Sequence, residues 1–316
     1  MLVPILLFAL GLILLIKGGD WFVDGAQSMA YRFHMPELLV GATVVAIGTT
    51  LPEVMVSAQG AMVGNGAISF GNAVGSVICN TALISAITLL AKPAKVSRKT
   101  FLLPTVAFFA AAAFYCFNAY AYGAFSLHAG LVLLSMFVVY MAVTVLQMKR
   151  SPEPGPAEAE SVEGSLTMDL VKLIGGAIVI AVGARLLVDN ATIIATALGV
   201  PDSVIALTLV ALGTSLPELV TAITSLLKGH GALSLGNIIG ANLFNLVLVS
   251  GTAIVINPFD LSSASATSMV VDIPLMLAVM LLLTLPALIK ERLYRWQGAA
   301  LLAIYVGYCA FQFFLA

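Results

Sequence analysis

Apolar residues run through this chain in blocks of about twenty, separated by short polar or charged punctuation, and the blocks predict ten helices. Their limits are near 2–28, 37–63, 67–90, 100–121 and 126–148, then 168–194, 202–228, 232–256, 268–288 and 293–315. The first and sixth are longer and more polar at their ends, which predicts tilted spans. Between the two groups of five, Ser151–Ser165 holds Pro152, Pro154, Gly155, Pro156 and four glutamates. Proline and charge exclude a packed helix there and predict a tether. The expected organisation is a first five-helix unit over 1–148, an acidic linker over 149–167 and a second five-helix unit over 168–316.

The two units are copies. Gly48-Thr49-Thr50-Leu51-Pro52-Glu53, then Gly71-Asn72-Ala73-Val74-Gly75, then Asn80, recur 165 residues later without a gap. The second copy reads Gly213-Thr214-Ser215-Leu216-Pro217-Glu218, then Gly236-Asn237-Ile238-Ile239-Gly240, then Asn245. Gly18, Val23, Asp24 and Pro36 match Gly183, Val188, Asp189 and Pro201 at the same offset, and 17 of 47 positions are identical between 38–84 and 203–249. Five spans per copy reverse the direction in which the second copy enters the membrane. The expected fold is an all-α membrane protein: ten transmembrane helices as two inverted-topology five-helix repeats.

Composition agrees. The chain is 61% hydrophobic and 9% charged, with mean hydropathy +1.09, more apolar surface than 316 residues hide in a soluble core. The partner it requires is the lipid bilayer. Fourteen basic against fifteen acidic residues, with no aromatic-interleaved basic cluster, argue against nucleic acid. No obligate protein partner is evident. Cys79, Cys116 and Cys309 form no CxxC pair and read as small core residues. His34, His128 and His230 lie at span ends or loops and receive no chemistry. The N-terminus lacks a basic n-region, so its first block reads as a retained span.

Lysine and arginine gather on alternate loops: Arg32, Lys92, Lys95, Arg98, Lys99, Lys149, Arg150, Lys228, Lys290, Arg292 and Arg295. The positive-inside rule then puts linker 149–167 in the cytoplasm and both termini outside. Lys17 and Arg185 are exceptions, expected to snorkel or to pair locally with Asp20 and Asp189. A tether too short for a eukaryotic regulatory domain points to the cell (inner) membrane of a prokaryote.

The duplicated motif carries the chemistry. Proline donates no backbone hydrogen bond and clashes with the carbonyl four residues back. Pro52 and Pro217 thereby break their helices and free the carbonyls of Gly48 and Gly213, with those of Ala46 and Ala211 close by. Thr49, Thr50, Thr214 and Ser215 add hydroxyls, and Glu53 and Glu218 add carboxylates beside each break. Asn72, Ser76 and Asn80 form one stripe on the next helix, repeated by Asn237, Ala241 and Asn245, and Asn80 and Asn245 offer amide oxygens. An all-oxygen site with two negative charges suits a hard cation, calcium or sodium. No thiolate or histidine cluster suits a softer metal. The ions are cargo, and no cofactor is required.

This duplicated pattern resembles the alpha-repeats of the calcium/cation antiporter superfamily, and most of all the prokaryotic sodium/calcium exchangers, over both halves and all ten spans. The resemblance implies exchange of calcium for sodium by alternating access, with the first and sixth spans sliding across a cluster built from the second, third, seventh and eighth. By position, Glu53 and Glu218 match the central carboxylates and Asn80 the central amide. Ala46, Thr49, Thr50 and Ser76 match one outlying sodium site, and Ala211, Thr214 and Ser215 match its counterpart. Asn245 stands where several relatives carry aspartate and Ala241 where many carry serine, which removes one acid and one hydroxyl from that pattern.

Electrogenic, sodium-driven calcium export is the function this implies. A calcium/proton exchanger in which the same glutamates titrate is the alternative, and the hydroxyls of Thr49, Thr214 and Ser215 favour sodium over it. A cation channel would show a carbonyl filter such as TVGYG, which is absent. An intramembrane enzyme would show a Ser/His pair or an HExxH motif within a span, and neither occurs.

Overall fold

The structure, a computed structural model, describes residues 2–150, 165–198, 213–261 and 268–315. Ten helices lie among them: α1 Leu2–Arg32, α2 Glu37–Met62, α3 Gly66–Ala91, α4 Arg98–Tyr122, α5 Leu127–Arg150, α6 Leu166–Ala197, α7 Leu216–Leu227, α8 Gly231–Ile256, α9 Met269–Lys290 and α10 Arg295–Leu315. Every described end falls within four residues of the limit that the apolar blocks predict, apart from the start of the seventh span. That start, with Pro201 and Ala211, and the linker over 151–164 lie outside the described residues. Eight of them, α1 to α6, α8 and α9, are long and apolar enough to cross a membrane by length and composition. The protein is therefore an all-α, multi-pass membrane protein.

The duplication is visible as geometry. Gly66–Cys79, a π-helical turn at Asn80–Ile84, and Ser85–Ala91 form α3. Gly231–Phe244, a π-helical turn at Asn245–Val249, and Ser250–Ile256 form α8, with every boundary displaced by 165. The turns that feed these helices need a left-handed residue, and Gly64 and Gly229 supply it at φ +76° and +90°.

Inversion follows from α1 against α6. Glycines at two-turn spacing, Gly11, Gly18 and Gly25, bring α1 onto the backbone of α6. A Cβ at Gly11 would lie 2.9 Å from the Gly183 carbonyl, one at Gly176 2.9 Å from the Gly18 carbonyl, and one at Gly25 2.6 Å from the Leu173 nitrogen. As α1 numbers rise, their α6 partners fall, so the helices are antiparallel. Gly11 and Gly18 are the duplicates of Gly176 and Gly183, and each meets the other's copy, as a two-fold axis requires.

The copies also clasp each other at both faces. At one face Lys95, after α3, pairs with Arg292, after α9. At the other, Ala124–Phe125, after α4, pairs antiparallel with Phe259–Asp260, after α8. Lys95 and Asp260 are duplicate positions. These loop pairings were not legible as strands because each is only one or two residues long. Lys92, Lys95 and the Gly229–Gly231 turn line one shallow pocket of about 200 Å³, so the basic loop after α3 shares a face with the end of α7.

The layers follow from burial. In their most apolar stretches α3 and α8 are 78% and 83% buried, whereas α1 and α6 are 22% and 28% buried. The first two form the core, and the second two lie across it as an outer pair. Arg32 on α1 and Asp169 on α6 join that pair at 2.9 Å. Arg185 lies 3.7 Å from Asp189, as expected. Lys17 does not hold Asp20. Lys17 is exposed, while Asp20 turns toward α7, where its carboxylate lies 3.4 Å from Lys228 Nζ.

Candidate cation site

The site lies where α2 and α7 carry their glutamates between α3 and α8. The structure corrects one expectation about how these helices break. The helix of Glu53 runs without interruption through Pro52, from Ala46 to Met62. Its irregularity is a π-helical turn at Gly41–Val45, where the Ala46 nitrogen bonds to the Gly41 carbonyl. The Tyr140 hydroxyl donates to the Ala42 carbonyl in that turn, at 3.0 Å. Pro52 still leaves the Gly48 carbonyl without its helical donor, because a single missing bond inside a packed helix does not force a break. In the second copy the helix starts afresh at Leu216, with Pro217 in its first turn and Glu218 beside it. Glu218 thus sits in the first turn of α7, at its positive dipole end, where a carboxylate is favoured.

Glu53 and Glu218 are completely buried. The Thr50 hydroxyl, one turn before Glu53, donates to Glu218 Oε1 at 3.5 Å, which sets the two carboxylate helices against each other. Thr49 Oγ1 donates to Asn237 Oδ1 at 3.1 Å and lies 3.4 Å from the Ala46 carbonyl oxygen. Its duplicate makes the mirrored contact, Thr214 Oγ1 to Asn72 Oδ1 at 3.5 Å. Each copy's proline-bearing helix therefore docks on the asparagine stripe of the other copy, so no single repeat can build the site.

Asn72 anchors its own half as well. Its Nδ2 donates to the Glu53 carbonyl at 3.2 Å and to Ser57 Oγ at 2.9 Å, fixing the backbone from which the carboxylate projects. Asn72→Leu is expected to weaken apparent calcium affinity by about tenfold, the loss of a buried hydrogen-bonded anchor, with folded yield retained. Calcium titration of transport in vesicles measures it.

Many buried oxygens here have no partner among the described residues. They are both carboxylate oxygens of Glu53, Oε2 of Glu218, Oδ1 of Asn80 and Asn245, Oγ of Ser215 and Oγ1 of Thr221. Asn80 and Asn245 open the two π-helical turns, where the Ser85 and Ser250 nitrogens reach back five residues to their carbonyls. Unsatisfied buried oxygens are costly, and two uncompensated buried carboxylates far more so. A hard cation that takes six to eight oxygens removes that cost. Ala46 and Ser76 are buried on α2 and α3, as the sequence places them, and Ala211 lies outside the described residues.

Four polar residues escape a reading that relies on duplication. Ser57, Thr221 and Asn242 have Ala222, Val56 and Val77 as duplicates, and Ser225 has Gly60. All four are buried, and Asn242 Nδ2 ties α8 to α3 by donating to Thr81 Oγ1 at 2.7 Å. The available signal was helical spacing: Ser57, Thr221 and Ser225 follow their glutamates by four, three and seven residues, on the same helix face.

Buried carboxylates in an oxygen-lined centre, shared by two inverted membrane repeats, define a secondary cation transporter. The profile of the sodium/calcium exchanger protein family matches residues 3–146 and 169–314, and the chain belongs to that family. It is 30% identical to the sodium/calcium exchanger MaX1 of Methanosarcina acetivorans, over 99% of both chains. It is 37% identical to an uncharacterized membrane protein of Methanocaldococcus jannaschii, over 95% of this chain and 94% of that one. Among solved structures it resembles the sodium-calcium exchanger NCX_Mj soaked with sodium and strontium, with TM-score 0.81 and 35% identity over 98% of both chains.

Proposed function

We propose that this protein is an antiporter that exchanges sodium for calcium across a membrane by alternating access at a site between its two repeats. The observation that carries the reading is the pair of fully buried glutamates, Glu53 and Glu218, on facing helices amid unpartnered oxygens. Calcium neutralises both carboxylates at once. Sodium ions compete for the same carboxylates and for the hydroxyl and carbonyl oxygens of Ala46, Thr49, Thr50, Ser76, Thr214 and Ser215. Ala211 offers its carbonyl as the duplicate of Ala46, and Asn80 and Asn245 complete the centre with amide oxygens.

Coupling has a physical origin in this arrangement. Moving bare carboxylates past a dry barrier is costly, so an occupied site changes its access far more readily than an empty one. One ion class leaves before the other enters, which is exchange. The chain acts as two five-helix units, 1–148 and 168–316, joined by a cytoplasmic linker over 149–167. Both termini lie outside a prokaryotic inner membrane, because the basic loops belong on the cytoplasmic side.

The test is radiolabelled calcium uptake into vesicles that contain the purified protein. Sodium-loaded vesicles diluted into sodium-free buffer take up calcium, and potassium-loaded vesicles do not. Uptake driven by an imposed proton gradient and indifferent to sodium would overturn the assignment of sodium.

A further inference from the structure

The two access states of an inverted repeat exchange the roles of its halves, so identical halves would give them equal energy. Any bias must come from residues that the duplication does not share. One such residue sits at the contact between the outer helix pair and the core. Lys228 caps the end of α7, and its Nζ lies 2.6 Å from Asp24 Oδ1, 3.4 Å from Asp20 Oδ1 and 3.1 Å from the Asp20 carbonyl oxygen, all on α1. Asp20 and Asp24 are one turn apart and present a two-carboxylate cradle to a single ammonium.

The duplicate positions do not repeat this. Lys228 corresponds to Val63, which is 76% exposed, and Asp20 corresponds to Arg185. Arg185 pairs within its own helix, with Asp189. One face of the molecule therefore has an ionic tie between outer layer and core, and the other has none at the equivalent place.

The tie closes α1 onto one side of the helix that carries Glu218. A Cβ at Gly19 of α1 would touch Val220 at 2.7 Å and Thr224 at 2.9 Å. Together with the Lys228 contacts, α1 thus covers α7 from just beyond Glu218 to its end. Reaching Glu218 along this side requires α1 and the last two turns of α7 to part, and parting them breaks both ion pairs. The neighbouring charged pairs do not have this property. Arg32–Asp169 lies within the outer pair, and His230–Glu37 joins the α7–α8 turn to the start of α2, within the core.

We infer that Lys228 with Asp20 and Asp24 is a one-sided latch that holds the α7–α8 face closed and tilts the resting equilibrium toward access from the opposite face. The inference rests on the exchange reading above. It assigns Lys228 a positioning role: the residue touches no transported ion and sets how differently the two faces see sodium.

The test compares the full-length wild type with Lys228→Met, Lys228→Arg and Asp24→Asn, at constant ionic strength because salt screens partly exposed pairs. Hydrogen–deuterium exchange of the purified proteins reads opening directly. Lys228→Met and Asp24→Asn raise exchange across residues 220–228, and leave the equivalent segment 55–63 unchanged. Lys228→Arg keeps the wild-type pattern. In vesicles, the ratio of apparent sodium affinities at the two faces shifts about two- to fivefold in Lys228→Met, the size expected for partly exposed ion pairs. Unchanged exchange at 220–228 in both charge-removing variants overturns the latch. So does an equal effect of Lys228→Arg, which would make the contact one of packing. Wild-type vesicles that lack sodium-driven calcium uptake would overturn the exchange reading instead, while the deuterium measurement still decides whether the latch exists.

Discussion

Glu53→Gln and Glu218→Gln are each expected to abolish sodium-driven calcium uptake while leaving the protein folded. Each change keeps the side-chain shape and removes one of two charges that face a divalent ion in a dry interior. Breaking a buried charge pairing costs about 3 kcal/mol or more, which is about a hundredfold in affinity. Stability moves the other way. In ion-free buffer a buried carboxylate has no cation, and Glu53 has no hydrogen-bond donor at either oxygen. Replacing it by an amide removes part of that desolvation cost, so Tm in ion-free detergent holds or rises in Glu53→Gln. The wild type gains Tm on adding calcium, because a ligand that binds only the folded state stabilises it. Both variants lose that gain. A scan of Tm against calcium, beside vesicle flux, separates a lost site from a lost fold. Normal calcium flux in either variant would remove the glutamates from the site.

Gly236→Ala is expected to have the next largest effect, on fold and site together. A Cβ at Gly236 would press against the Leu38 carbonyl oxygen and lie 2.8 Å from that carbonyl carbon. One at Gly240 would lie 2.6 Å from Ala42 Cα, and one at Gly41 would press against the Leu233 carbonyl oxygen. These are backbone atoms on facing helices, so no rotamer change relieves them, and α2 and α8 must separate. Overpacking of this kind costs about 1–3 kcal/mol. Separation also lengthens the Thr49–Asn237 contact, now 3.1 Å, at the next residue of α8. Gly236→Ala therefore lowers both Tm and apparent calcium affinity. Gly307→Ala, on an exposed stretch of α10 where a Cβ would meet nothing within 4 Å, changes neither. Tm and calcium titrations on the two variants check this, and a Gly236→Ala protein with wild-type Tm would show that the α2–α8 contact is not tight.

Much of the site was legible before any coordinates. Glu53, Glu218 and the asparagine stripes stood out because each occurs twice in an apolar block, and a membrane interior makes such residues too costly to keep without use. What escaped was unduplicated. Ser57, Thr221, Asn242 and Lys228 each have a nonequivalent duplicate, and only packing shows what they touch. Proline acts differently in the two copies: Pro217 begins a helix, while Pro52 lies within an intact one whose irregularity is a π-helical turn upstream. No residue pattern in Gly41–Val45 announces that turn, because it depends on how α2 is held by its neighbours.

The sequence by itself determined the described span limits, the two-copy design, the inverted topology and the chemical class of the candidate site. Those features follow from local hydrophobicity, from the repeat and from the odd number of spans, and none needs a partner to be specified. Only the tertiary structure decided that each copy's Thr49 or Thr214 meets the other copy's asparagine, that the outer helices meet along Gly11, Gly18, Gly176 and Gly183, and that Asp20 pairs with Lys228 across 208 residues instead of with Lys17 on its own helix. The reason is that a side chain's position along its helix sets which way it points, while its partner is set by the crossing of helices distant in sequence, and that crossing is fixed by the sum of packing over the whole core.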